Sequence, residues 1–101
     1  MTVVIVPPPL MPLLAHSPRD LPDVQLIVSG GAPLGADLQR AVAARFPHAA
    51  VGQGWGLTET SPATHINPDD PARIKLASVG PLIANTEGKV VDPETGAELG
   101  P

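Results

Sequence analysis

At 101 residues the chain has room for one small domain, and a core of that size is marginal unless it is tightly packed or shared with further chain. A net charge of −4, with only six basic residues scattered along the sequence, excludes the cationic stripe needed to follow nucleic-acid phosphates or an anionic membrane surface. One Trp, one Phe and no Tyr leave Val, Leu, Ile and Ala to build the interior, and the absence of Cys removes disulfides and thiolate metal ligation, as fits a reducing compartment.

In chain order, Met1-Thr2-Val3-Val4-Ile5-Val6 lacks a basic leader, and Pro7-Pro8-Pro9 interrupts it too early for a signal peptide or a spanning helix. Val3 to Val6 therefore reads as a strand buried on both faces. With no targeting pattern, the expected location is cytoplasmic, with a peroxisomal one open in a eukaryote. A helical or turn segment through Leu14 is opposed by Pro12. Ser17 to Asp23 is a polar loop, and Val24-Gln25-Leu26-Ile27-Val28 is a second apolar strand that stops at Ser29-Gly30-Gly31.

From Ala36 to Phe46, Leu38, Ala41, Val42 and Phe46 recur at three- and four-residue steps, with Gln39, Arg40 and Arg45 on the other side: an amphipathic helix, opened near Pro33 and closed by Pro47 and His48. Ala49-Ala50-Val51 returns as a short strand. Strand, glycine turn, helix and strand make a βαβ core over about 24–56, the unit of a parallel sheet, so the fold class is α/β with flanking helices. Residues 60–80 read as irregular chain apart from a short strand near Thr64 to Ile66. A second, β-rich part begins over 82–101, where Gly88 to Val91, the turn Asp92-Pro93-Glu94-Thr95-Gly96 and Ala97 to Leu99 form the start of a hairpin. A sequence that stops at Gly100-Pro101 in the middle of a hairpin is expected to be a piece of a longer protein.

Two segments carry candidate chemistry. Ser29-Gly30-Gly31-Ala32-Pro33-Leu34-Gly35 links a strand to a helix N-terminus, where backbone N–H groups and the helix dipole suit an anion; a tight turn that needs glycine for geometry alone is the plain alternative. Gly52-Gln53-Gly54-Trp55-Gly56-Leu57-Thr58-Glu59-Thr60 follows the next strand and opens on the same sheet edge, where ligands of parallel sheets sit. Its glycines let backbone run against a flat ring, Trp55 offers a stacking face, Thr58 a hydroxyl for a phosphate oxygen and Glu59 a carboxylate for Mg²⁺. Taken singly, Thr58 also suits a helix cap, Glu59 a first helical turn and Trp55 a core or interface. His16, His48 and His65 match no ligand spacing and read as surface or hydrogen-bonded residues. Asp69 and Asp70 read as a solvated loop pair.

The combination resembles the AMP-forming adenylate enzymes: acyl-CoA ligases, luciferases and peptide-synthetase adenylation domains. Gly54-Trp55-Gly56-Leu57-Thr58-Glu59 is similar to the family's aromatic-Gly-x-Thr-Glu motif, preceded at the family's distance by Gly30-Gly31-Ala32-Pro33-Leu34, and the likeness spans nearly the whole chain. Val28 to Gly35, Phe46-Pro47, Gly52-Gln53-Gly54 and Ala84-Asn85-Thr86-Glu87 most resemble plant-type 4-coumarate–CoA ligases. The resemblance implies part of the large N-terminal domain of such an enzyme.

By that resemblance Gly31, Ala32 and Pro33 line the adenosine and acyl pocket, and Gln53, Gly54, Trp55 and Gly56 pack against adenine and the acyl group. Thr58 and Glu59 are the catalytic pair, Thr58 on the α-phosphate and Glu59 as the Mg²⁺ ligand, while Ile66 touches the acyl-adenylate. The implied chemistry is activation of a small carboxylic acid with ATP to acyl-AMP, then transfer to coenzyme A. Trp55 stands where the family usually has Tyr. The phosphate loop ending in Lys, the ribose-binding Asp and the C-terminal catalytic Lys have no counterpart in these 101 residues, and Lys75 and Lys89 sit in no matching context. The expectation is a partial, inactive catalyst completed by the remainder of a split or longer ligase. Its rivals are a luciferase-like or amino-acid-activating enzyme and a truncated nucleotide-binding or assembly fragment.

Overall fold

A computed structural model describes residues 1–100. Four strands, β1 (Thr2–Val6), β2 (Val24–Ser29), β3 (Ala50–Gly56) and β4 (Ala63–Ile66), form one sheet in the order β1-β2-β3-β4. The β1–β2 and β2–β3 pairs are parallel and β3–β4 is antiparallel, with Val28 opposite Gly52 and Gly54 opposite Ile66. Two helices, α1 (Met11–Ala15) and α2 (Ala36–Arg45), belong to the crossovers. The short strands β5 (Val90–Val91) and β6 (Glu98–Leu99) form the separate hairpin.

The main core lies between the sheet and the two helices, where Met11, Ile27, Val42 and Phe46 are each 0 % exposed. Burying side chains of this size stabilises by about 1.5–3 kcal/mol apiece. α1 forms despite Pro12 because that residue sits in the first turn, where a helix has no use for the missing N–H. α2 starts from an extended Gly35 and ends at Phe46. The Arg45 guanidinium then donates to the carbonyls of Ser17 and Arg19 and to Asp20, at 2.8, 3.0 and 2.9 Å, and lies over the Phe46 ring. With His48 Nε2 3.0 Å from the Leu21 carbonyl, this fastens the loop before β2 to the helix.

Three sequence expectations change. β1 is an edge strand with one bare face: Val6 is buried with the helices, but Val3 and Ile5 are 41 % and 77 % exposed. The helices cover only one side of the sheet, and on the other Leu26, Val28 and Ala50 form a smaller buried cluster packed against Ile74. Second, β3 runs through the glycine-rich segment to Gly56 rather than stopping at Val51, because β4 pairs with its second half. Third, the inner face of α2 includes Gln39, 1 % exposed, while Ala41 faces outward. Gln39 is buried because its amide is satisfied, donating to the Val51 carbonyl at 2.9 Å and accepting from the Ala77 N–H at 3.1 Å.

The hairpin turn is organised by Asp92, whose Oδ1 accepts the N–H groups of Glu94 and Thr95 at 2.8 and 3.0 Å. The bonds from Thr95 and then Glu94 hold its carboxyl below the usual carboxylate range. A folded-state value below the unfolded one means that the unfolded chain binds the proton more readily. The stabilisation is therefore present above the unfolded value and lost as pH falls through the lowered folded one. Acid titration by NMR should move the Glu94 and Thr95 amide resonances together, with a midpoint below that of an unstructured aspartate; an ordinary midpoint would mean that the turn is not held this way.

Candidate adenylate cleft

The carboxyl end of β2 lies beside the middle of β3, with Ser29 opposite Gln53, so the turn after β2 and the glycine-rich second half of β3 meet at one place. After β2 the chain turns at Gly31, whose φ of 89° lies in the left-handed region that L side chains rarely adopt. Gly31, Ala32 and Pro33 form one wall of a cleft of about 450 Å³, and Gln53, Gly54, Trp55 and Gly56 form the other. Trp55 is 48 % exposed on this wall, its indole edge-to-face with His65 at 5.5 Å between ring centres. His65 is positioned in turn by Thr64, whose hydroxyl lies 3.0 Å from Nδ1 and donates to the Trp55 carbonyl at 3.3 Å. An exposed ring braced from behind can stack on a flat ligand at small cost in side-chain freedom.

Seven of the ten residues singled out from sequence thus line one cleft. Thr58, Glu59 and Ile66 do not line it. Thr58 and Glu59 occupy the exposed 3-10 turn Thr58–Thr60 that follows β3, held by Thr60 Oγ1, which accepts the Leu57 N–H at 2.9 Å. Thr58 is not the cap of that turn; Leu57 precedes it in an extended conformation. Ile66 is 40 % exposed on β4 across from Gly54. Gln53 lines the cleft and also braces it: it is 4 % exposed, and its Oε1 accepts the Leu34 N–H at 3.1 Å.

Sequence reasoning missed Ala77 and Val79, which also line the cleft from the irregular segment. No periodicity marks them; Ala77 is brought in by its bond to Gln39. A larger hollow, about 740 Å³, lies on the far side of Trp55, bounded by Leu82, His65 and the hairpin, with Glu87, Lys89 and Glu98 around it. Its charges are of mixed sign and no turn of backbone N–H groups converges on it, so the smaller cleft is the better anion and ring site.

The residues present suit a nucleotide with Mg²⁺. The cleft offers a ring face and open glycine backbone, with nothing within 4 Å of where Gly31 or Gly35 would carry a Cβ. No group of three or more His, Asp or Glu among the described residues forms a metal cage. A lone carboxylate such as that of Glu59 would suffice only for a Mg²⁺ taking its other ligands from phosphate and water. No helix of the described residues is long and apolar enough to cross a membrane.

The profile of the AMP-binding enzyme family matches residues 1–101. The chain belongs to the AMP-binding enzyme family. Among curated relatives of this family, 4-coumarate–CoA ligase 2 of Oryza sativa subsp. japonica is 43 % identical over 106 residues, covering 98 % of this chain and 19 % of the relative. 4-Coumarate–CoA ligase 1 of Petroselinum crispum is 42 % identical over 99 residues, covering 91 % and 18 %. Among solved structures, ATP-bound MatB from Rhodopseudomonas palustris superposes with a TM-score of 0.79 at 36 % identity, covering 98 % of this chain and 20 % of that one. The luciferase-like enzyme of the nonluminescent Zophobas morio mealworm gives 0.86 at 28 %, covering 100 % and 25 %. The α/β architecture is that of the N-terminal domain of adenylate-forming enzymes. The chain spans about a fifth of the length of these two curated relatives.

Proposed function

We propose that this chain supplies the adenylate-holding portion of an acid–CoA ligase, which activates a small carboxylic acid with ATP to acyl-AMP and pyrophosphate and passes the acyl group to coenzyme A. The observation that carries this reading is the convergence of the 31–33 and 53–56 glycine segments on one cleft beside Trp55. In it Trp55 packs on adenine, Gly31 to Pro33 and Gly54 to Gly56 bring backbone against the nucleotide, and Ile66 borders the acyl end. Thr58, whose hydroxyl is exposed beyond β3, bonds the α-phosphate. Glu59 holds Mg²⁺, whose charge would offset that of the phosphates. These residues bind and orient; positioning and charge neutralisation account for most of such catalysis. The remaining groups for phosphate, ribose and thiol transfer come from other segments of a longer or split ligase. The relatives' names support an aromatic or other organic acid as substrate.

The test is a calorimetric melt of the 101-residue chain with and without millimolar AMP and Mg²⁺, since a ligand that binds only the folded state must raise the midpoint. A raised midpoint that Thr58→Ala reduces supports the cleft as the site; a cooperative but unmoved transition removes adenylate binding from this chain. In a longer ligase carrying the same residues, Thr58→Ala should lower ATP–pyrophosphate exchange by about 100-fold, the scale of losing one oriented donor. The fold should be unaffected, because the exposed Thr58 side chain makes no hydrogen bond among the described residues.

A further inference from the structure

Asn67 belongs to none of the segments singled out for chemistry, yet it is a polar side chain only 4 % exposed. Its Oδ1 accepts the Gln53 N–H at 2.6 Å, and its own N–H donates to the Gln53 carbonyl at 2.9 Å, so it brackets Gln53 on both sides. It fits because Gly52 leaves room for it: a Cβ there would stand 2.6 Å from the Asn67 Cβ. Gln53 passes the constraint on, its Oε1 accepting the N–H of Leu34, itself 3 % exposed. Leu34 directly follows Gly31, Ala32 and Pro33, one wall of the cleft, and Gln53 begins the other.

We infer that Asn67 is a positioning residue: by fixing Gln53 it fixes the Leu34 N–H, and so sets how far apart the two walls of the cleft stand and how tightly they grip a nucleotide. This rests on the reading of the cleft as an adenylate site. Loss of the Asn67 acceptor would strand a buried N–H on Gln53, which is costly, and β3 would shift to find another partner. The Gln53 side chain moves with it and releases Leu34. Asn67 touches no ligand in this scheme; it acts through two backbone amides.

The test uses the 101-residue chain, reading amide exchange at Leu34 against Val42 in α2, and AMP affinity by titration calorimetry. Asn67→Leu should speed Leu34 exchange relative to Val42, and weaken AMP, by about tenfold each, the scale of one buried hydrogen bond. Asn67→Asp, which keeps the Oδ1 acceptor, should bring both back toward the original values. Arg45→Ala, which frees the loop before β2 and lowers stability elsewhere, should leave both unchanged. The inference is overturned if Asn67→Leu behaves as the unaltered chain, or if Arg45→Ala reproduces its effects. Should Asn67→Leu fail to fold, Gln53→Met replaces it, and a freed Leu34 amide with undiminished AMP affinity overturns the inference. An unaltered chain that binds no AMP refutes the adenylate reading instead, and the Leu34 exchange ratio then decides the relay alone.

Discussion

Gly56→Ala is expected to separate β4 from β3 and to unfold the cleft wall. A Cβ at this position would stand 1.8 Å from the Pro62 carbonyl oxygen and 2.7 Å from the Ala63 Cα. Both obstacles are backbone, so no rotamer change relieves the clash. Gly56 pairs with Ala63 just where the β3–β4 register shifts, and the strands can stay together only if one of them moves. Overpacking a core commonly costs about 1–3 kcal/mol, and a clash with fixed main chain belongs at or above the top of that range. For a domain of this size each kcal/mol lowers the melting midpoint by about 4–8 °C, so a fall well beyond 10 °C is expected. Circular dichroism melts read this directly; a midpoint within about 2 °C of the parent would mean that β4 does not lie where it is described. The same substitution should abolish AMP stabilisation, because Trp55 on β3 is braced by His65 on the strand that parts from it.

Phe46→Ala should be comparably severe for a different reason. Phe46 is the largest fully buried side chain and the only Phe in the sequence, and it closes the core shared by α1, α2 and the sheet. Truncating a buried Phe costs about 3–5 kcal/mol, out of the roughly 5–15 kcal/mol that typically separates folded from unfolded domains. The ring also underlies the Arg45 guanidinium, so its loss loosens the loop that Arg45 fastens. Urea titration should show a midpoint displaced by about a fifth of its value or more with an unchanged slope. A shift of less than a tenth would show that the cavity collapses without cost.

The parts of the fold legible in the sequence were those in which residue type and position agree. β2 is a β-branched run ended by glycine, and α2 carries Val42 and Phe46 at helical spacing; both appear within a residue or two of expectation. The extent of β3 was not legible, because glycines that punctuate a strand on paper are here what lets β4 and Asn67 approach it closely. Gln39, Gln53 and Asn67 were hidden by their polarity. Each is buried because its amide meets one or two particular backbone groups, and those partners lie 12 to 38 residues away along the chain. The bare face of β1 has the opposite cause, since an apolar strand sequence specifies that something should cover it without specifying what. The cleft was legible through its two glycine segments, whereas Ala77 and Val79 reach it by a fold-back that no local pattern records.

The placement of the single tryptophan has an optical consequence. Trp55 borders both the cleft and the hollow beside the hairpin, so one fluorophore looks into two compartments. Emission will respond to a molecule entering from either side, and intensity alone cannot say which. A quencher small enough to enter both spaces, titrated with and without nucleotide, divides the signal: occupancy of the cleft removes collisions that arrive through it and leaves those that arrive through the hollow. Without any attached dye, the chain reports which of the two hollows beside Trp55 is filled.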